Sequence, residues 1–164
     1  LNNETHEAIA PVLGRIPSGV FILTATNGAE KSTGMLTSWV QQAAFEPPAV
    51  TIAVNKSRYL NEWLSQHSYL ILNQVGQSQG ALLSHFGKGF EPDANAFENL
   101  NIESGHHGIP RLNEAMGALE CEVTNQHESG DHIIYTAIIT NAHGGAILDT
   151  DKPMVHIRKN GFKY

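Results

Sequence analysis

Residues 20–26 read Val-Phe-Ile-Leu-Thr-Ala-Thr without one charge, and Asn27-Gly28 follows at once. A continuous β-prone run of this kind suits a strand covered on both faces, and Asn-Gly favours positive φ and a reversal of the chain. The return strand is predicted over 32–38. Pro47-Pro48 then precludes helix locally, after which Val50, Ile52 and Val54 alternate with Thr51 and Ala53 as a half-buried strand would. Further strands are predicted over 69–75, 132–140 and 155–157. In the segment 119–124, Leu119, Cys121 and Val123 alternate with Glu120, Glu122 and Thr124, which puts the cysteine on the inward face of a strand.

Helical signals are few and short. One covers residues 6–13, one covers 58–66 with Ser57 as its cap, and a third gathers Ala81, Leu82, Leu83 and Phe86. Residues 87–108 form a long polar stretch with no clear period, the kind of loop that is usually functional or mobile. The connections are too short for repeated βαβ crossovers, so the expected architecture is mainly β. It is a predominantly antiparallel barrel with short inserted helices, one domain over residues 1–164. No G-x-G-x-x-G follows a strand, so any dinucleotide would bind without that fingerprint.

Charge and cysteine usage exclude several functions. Ten Lys and Arg against sixteen Asp and Glu give a net charge of −6, with no basic cluster able to neutralise several phosphates, so no nucleic-acid partner is expected. The longest apolar stretches, residues 20–25 and 133–139, fall far short of the roughly 20 residues a membrane-spanning helix needs. One cysteine and no secretory signal point to a reducing, cytoplasmic setting. Leu1 in place of an initiator methionine suggests processing or excision from a longer chain.

Three segments could carry chemistry. Gly34-Met35-Leu36-Thr37-Ser38-Trp39 ends a strand with hydroxyls beside a large aromatic, a surface suited to the edge of a flat heteroaromatic ring, or equally an ordinary strand end with a core tryptophan. Asn55-Lys56-Ser57-Arg58 is a cationic strand-to-helix junction suited to a phosphate, unless Ser57 only caps the helix and both cations are solvated. Glu128-Ser129-Gly130-Asp131-His132 delivers a histidine at a strand start, where it could donate to a bound ring or stand exposed. No metal site is expected, because His106-His107 would point to opposite faces of a strand and Cys121 has no C-x-x-C partner. Without a convincing acid, base or nucleophile, the chain suits chemistry that cofactors carry while the protein orients them.

Taken in order, Gly14-Arg15-Ile16-Pro17-Ser18-Gly19-Val20, the 34–40 segment, Phe45-Glu46-Pro47-Pro48, Leu119-Glu120-Cys121 and Gly130-Asp131-His132 resemble the flavin reductase-like family, whose members form an FMN-binding split β-barrel of antiparallel Greek-key type. Ser38-Trp39-Val40 with Gln42, and the ending Val155-His156-Ile157-Arg158-Lys159-Asn160-Gly161, are similar to the C-terminal reductase module of cyanobacterial-type flavodiiron proteins. That resemblance implies an NAD(P)H:flavin oxidoreductase module, passing electrons from NADH or NADPH through FMN to diiron and flavodoxin-like domains of the parent chain or a paralogue. It implies a homodimer with FMN near the subunit interface. By position, Thr37, Ser38, Trp39 and Val40 would flank the isoalloxazine. Asn55, Lys56, Ser57 and Arg58 would hold the phosphate, and His85 and Phe86 would make a helix-end contact. His132 would position the nicotinamide. Gln41 and Ala44 stand where serines are common, and Gly89 and Ala96 where flavodiiron modules often carry arginine. These departures motivate a second reading, a degenerate split barrel that binds flavin weakly or not at all and serves as a dimerisation or interaction module.

Overall fold

The computed structural model describes residues 2–28 and 30–163. The apolar run becomes β2 (Phe21–Thr26), which pairs antiparallel with β3 (Ser32–Thr37) across the Asn27-Gly28 turn. Gly28 takes φ +79°, the region only glycine enters freely. β3 leads through Ser38-Trp39 into β4 (Val40–Phe45), and β4 returns as β5 (Pro48–Asn55) through a turn holding a cis Glu46–Pro47 peptide. After α2 (Leu60–Gln66) come β6 (Tyr69–Gln74) and α3 (Gly80–Gly87), then the short pair β7 (Ile102–Ser104) and β8 (Pro110–Leu112). The long hairpin β9 (Gly117–Ser129) and β10 (His132–Gly144) completes the main sheet. A helix α1 (Asn3–Gly14) opens the chain, and β1 (Ser18–Gly19) pairs with β11 (Val155–His156) near its end.

The seven-stranded sheet runs β3-β2-β6-β9-β10-β5-β4, every pairing antiparallel. Its two edge strands, β3 and β4, are joined by only Ser38 and Trp39. Three peptide units span at most about 11 Å, so the sheet must curl until its edges meet. The edges approach without pairing to each other, which is the split of a split barrel, and the fold is mainly β as the sequence predicts.

Both faces of β2 are buried, in agreement with its uninterrupted apolar run. Leu23 and Ala25 join Val50, Ile52, Val54, Leu70, Leu72, Cys121 and Tyr135 in the main core, against which α2 lays Leu60, Trp63 and Leu64. Val20 and Ile22 face a second core with Leu82 and Phe86 of α3 and with Ala96, Phe97 and Leu112. Two buried polar side chains lock this outer layer on. Thr24 Oγ1 donates to Pro110 O (2.6 Å), and Asn73 accepts from Leu112 N (2.9 Å) while donating to Ile22 O (3.0 Å). Part of the long polar stretch is therefore ordered structure, because β7–β8 and the buried pair Ala96 and Phe97 cover the β2–β6 face.

Three further expectations are corrected. Ser57 does not cap α2: the helix begins three residues later, with Tyr59 at its N-cap making no side-chain cap bond. Ser57 is diverted because its N–H (2.9 Å) and Oγ (2.7 Å) both donate to Asn55 Oδ1. Residues 40–45, for which no strand was predicted, form edge strand β4, since pairing with β5 supplies what Gln41-Gln42-Ala43-Ala44 lack in propensity. Glu120, expected opposite the cysteine on an outward face, is only 6% exposed, because the segment around His106 covers that face.

Candidate functional site

The seam between β3 and β4 is where the predicted site residues gather. Thr37 ends β3 and is buried, Ser38 is buried beside it, and Trp39 continues the β4–β5 ladder backward by accepting Ala53 N–H at its carbonyl (3.0 Å). Val40 then pairs with Ile52. The far end of β5 is Asn55, whose register partner across the sheet is His132 at the start of β10. This register brings the Trp39 indole and the His132 imidazole to a centroid separation of 4.7 Å, inclined by 35°.

His132 is 9% exposed, and Nδ1 meets Asp131 Oδ1 at 2.7 Å. The hydrogen bond from His132 holds the Asp131 carboxyl below its ordinary range, so near neutral pH it is a carboxylate and can only accept. Nδ1 must then carry the proton, which leaves Nε2 as the acceptor of the neutral ring. Sequence reading placed Asp131 beside the histidine without seeing that it sets the tautomer.

Beyond Asn55 the chain turns sharply through Lys56, Ser57 and Arg58. Asn55 Oδ1 organises the turn as described, and Asn61 of α2 ties it down, donating from Nδ2 to Asn55 O (2.8 Å) and Arg58 O (2.9 Å). Asn61 Oδ1 in turn accepts from the buried Tyr135 hydroxyl (2.8 Å), whose ionisation burial disfavours. Lys56 N donates to Asp131 O (2.9 Å), so this turn and the His132 turn are joined through the backbone. Lys56 Nζ also pairs with Glu128 at 2.6 Å, and that bond lowers the glutamate's pKa. The Arg58 guanidinium is exposed and makes no ion pair among the described residues. Asn61 carries no sequence signal beyond being a polar residue in the first turn of an otherwise apolar-faced helix.

Gly89 and the α3 end adjoin this turn. Gly89 has φ +72°, and a Cβ built there would lie 3.8 Å from Arg58 Nη1. Ala96 is fully buried, and its carbonyl bonds His85 Nε2 at 2.8 Å. An arginine at position 89 would adopt a strained backbone, and one at position 96 would displace core. Phe86 is 1% exposed and supports β3 from beneath, where a Cβ on Gly34 would come within 2.4 Å of its ring. The structure thus puts Phe86 in the core behind the site. Thr37, Ser38, Trp39, Asn55, Lys56, Ser57, Arg58 and His132 form one connected group.

One polar atom of this group is left unsatisfied. Ser38 Oγ is buried and has no hydrogen-bond partner among the described residues, a condition that costs free energy unless a water or ligand atom completes it. A cleft of about 370 Å³ lined by Glu103, Arg111, Asn113 and His143, and a groove of about 340 Å³ near Leu64 and Val123, share no residue with the group. The chemistry of the seam outweighs concavity here.

Comparison with known proteins gives the family and the fold. The "Flavin reductase like domain" profile matches residues 13–163. Diflavin flavoprotein A 1 of Synechocystis sp. is 38% identical over 166 residues, covering 100% of this chain but 28% of that protein, so the chain spans about a quarter of its length. An NADH:FAD oxidoreductase of Streptomyces globisporus superposes with a TM-score of 0.83 at 22% identity, over 96% of this chain and 91% of the other. An FMN-binding protein from Thermus thermophilus does so at 0.74 and 19%, over 85% and 79%.

Proposed function

The chain belongs to the flavin reductase-like family, and from that premise we propose that it is an FMN-binding NAD(P)H:flavin oxidoreductase module. The observation that carries the reading is the buried, unpartnered Ser38 hydroxyl at a seam that Trp39, His132 and the Asn55–Arg58 turn all adjoin. When bound, FMN would supply the redox chemistry, accepting hydride from a reduced nicotinamide and releasing electrons to an acceptor.

The chain's own residues then have separable tasks. Arg58, which makes no ion pair among the described residues, and Lys56 hold the flavin phosphate by charge-assisted bonds, with Asn55 and Asn61 fixing their turn. Ser38 bonds a heteroatom at the ring edge, while Thr37 and Val40 border it and Trp39 packs against it. His85, held by Ala96 O, and Phe86 keep α3 against β3. His132, with Nδ1 engaged by Asp131, presents Nε2 to the nicotinamide and orients it. Because a single chain leaves the β4 edge open and Phe45 88% exposed, we infer a homodimer that closes the site. In the longer relatives' context, the acceptor is the diiron and flavodoxin-like part of the parent chain or a paralogue.

Arg58→Ala tests the phosphate assignment by flavin-fluorescence titration. Loss of a charge-assisted contact is expected to weaken FMN at least about tenfold. Unchanged affinity would remove Arg58 from the site.

A further inference from the structure

Arg158 has no part in the scheme above, yet it lies over its central aromatic. Its guanidinium carbon is 5.2 Å from the Trp39 ring centroid, and the tilted His132 ring packs against Trp39 in turn, so cation, indole and imidazole form one continuous array. Hydrogen bonds hold this placement. Arg158 N donates to Gly14 O (2.8 Å), Gly161 N donates to Ala10 O (2.7 Å), and Arg158 Nη1 donates to Gly161 O (3.1 Å). The last turn of α1 has to be bare for this tail to lie on it, since a Cβ on Gly14 would come 2.6 Å from Arg158 O. Together with the β1–β11 pair, these bonds strap residues 155–161 across the end of α1 and fix the guanidinium at the seam.

We propose that Arg158 binds a phosphate group of the nicotinamide dinucleotide, an assignment that rests on the oxidoreductase reading above. The local charge favours such a group. The chain carries −6 overall, and the Asp131 carboxylate lies against His132, so a dinucleotide approaching the Trp39–His132 face meets repulsion. Lys56 and Arg58 both belong to the turn assigned to the flavin phosphate, where Lys56 also pairs with Glu128. Arg158 is the half-buried cation on the indole side. Guanidinium is also the group that stacks on an aromatic face and engages phosphate through a planar fork at the same time.

The test measures binding of the oxidised dinucleotides NAD+ and NADP+ by calorimetry to FMN-loaded protein, with no turnover involved. Arg158→Gln is expected to raise the dinucleotide Kd about 10- to 100-fold, and Arg158→Lys to recover part of that loss. The FMN Kd should move by less than about threefold, as expected when no contact to it is lost. Equal losses for NAD+ and NADP+ assign the diphosphate, and a loss confined to NADP+ assigns the 2′-phosphate. Nicotinamide riboside, which has no phosphate, should bind wild type and Arg158→Gln alike. An unchanged dinucleotide Kd, an equal loss for the riboside, or a parallel loss of FMN would each overturn the assignment. On the unmodified chain, the riboside should bind at least about tenfold more weakly than NAD+, a comparison that holds even if Arg158→Gln loosens the strap, and equal affinity would also overturn it. Wild-type protein that binds FMN but neither dinucleotide would overturn the donor reading itself, and this assignment with it.

Discussion

Removing the Asn61 amide should damage both the fold and the phosphate turn, and the two effects can be separated. In Asn61→Ala three hydrogen bonds disappear, those to Asn55 O, Arg58 O and the Tyr135 hydroxyl. Tyr135 is 1% exposed, so its hydroxyl loses its partner where water does not reach, at a cost of about 1–3 kcal/mol. The two carbonyls sit at a partly exposed turn where water substitutes, which adds roughly 0.5 kcal/mol each. The expected loss is about 2–4 kcal/mol, read by urea denaturation, or a fall in Tm of roughly 5–12 °C for a domain of this size. Tyr135→Phe removes the phenol but leaves both turn bonds, and should cost only about 1 kcal/mol. In the double variant no buried hydroxyl is stranded, so its loss should fall short of the sum by about 1–2 kcal/mol. FMN affinity should drop in Asn61→Ala and hold in Tyr135→Phe, because only the first frees the Asn55–Arg58 turn. An Asn61→Ala stability within about 0.5 kcal/mol of wild type, or strictly additive losses, would refute the reasoning.

Three other outcomes follow from the same structure. Burial, with a smaller contribution from the Glu120 charge, pushes the Cys121 thiol up to about 12; its reaction with a disulfide reagent at pH 8 should be at least about 1000-fold slower in the native chain than in urea, and comparable rates would contradict its placement. Burial raises the Glu120 pKa, but bonds from His143, the His106 N–H and Asn141, with the nearby His106 charge, outweigh it and leave the pKa lowered. Its contribution to stability is therefore present above the unfolded carboxylate value and lost as pH falls through the folded one. The stability gap between wild type and Glu120→Gln in urea titrations should shrink from pH 7 to pH 3, and a constant gap would count against the network. His132→Ala should slow reduction by the nicotinamide about tenfold or more while leaving the FMN Kd within about threefold, and stopped-flow traces matching wild type would remove His132 from donor positioning.

The fold was legible wherever the pattern along one segment decided its structure. The run at 20–26 and the alternation of Val50, Ile52 and Val54 carried their own periods, and both fell in the core as read. Segment 40–45 carried no period because β4 is made by its neighbour, and Glu120 looked exposed because the β7–β8 cover comes from a distant part of the chain. For the proposed site the sequence offered only residue types, hydroxyls, cations and a histidine at strand ends. What the sequence could not show was how these residues are supported. Whether Ser57 bonds Asn55 or a helix N–H, and whether Arg158 reaches Trp39, depends on contacts made only after the barrel closes.

The most direct test is to titrate the apo-protein with FMN and then add NADH and NADPH in turn under anaerobic conditions, following the flavin absorbance. Micromolar or tighter binding, with prompt bleaching by at least one donor, is the result expected of an oxidoreductase built on this seam. No binding at micromolar FMN, or a bound flavin that neither dinucleotide bleaches, would contradict it.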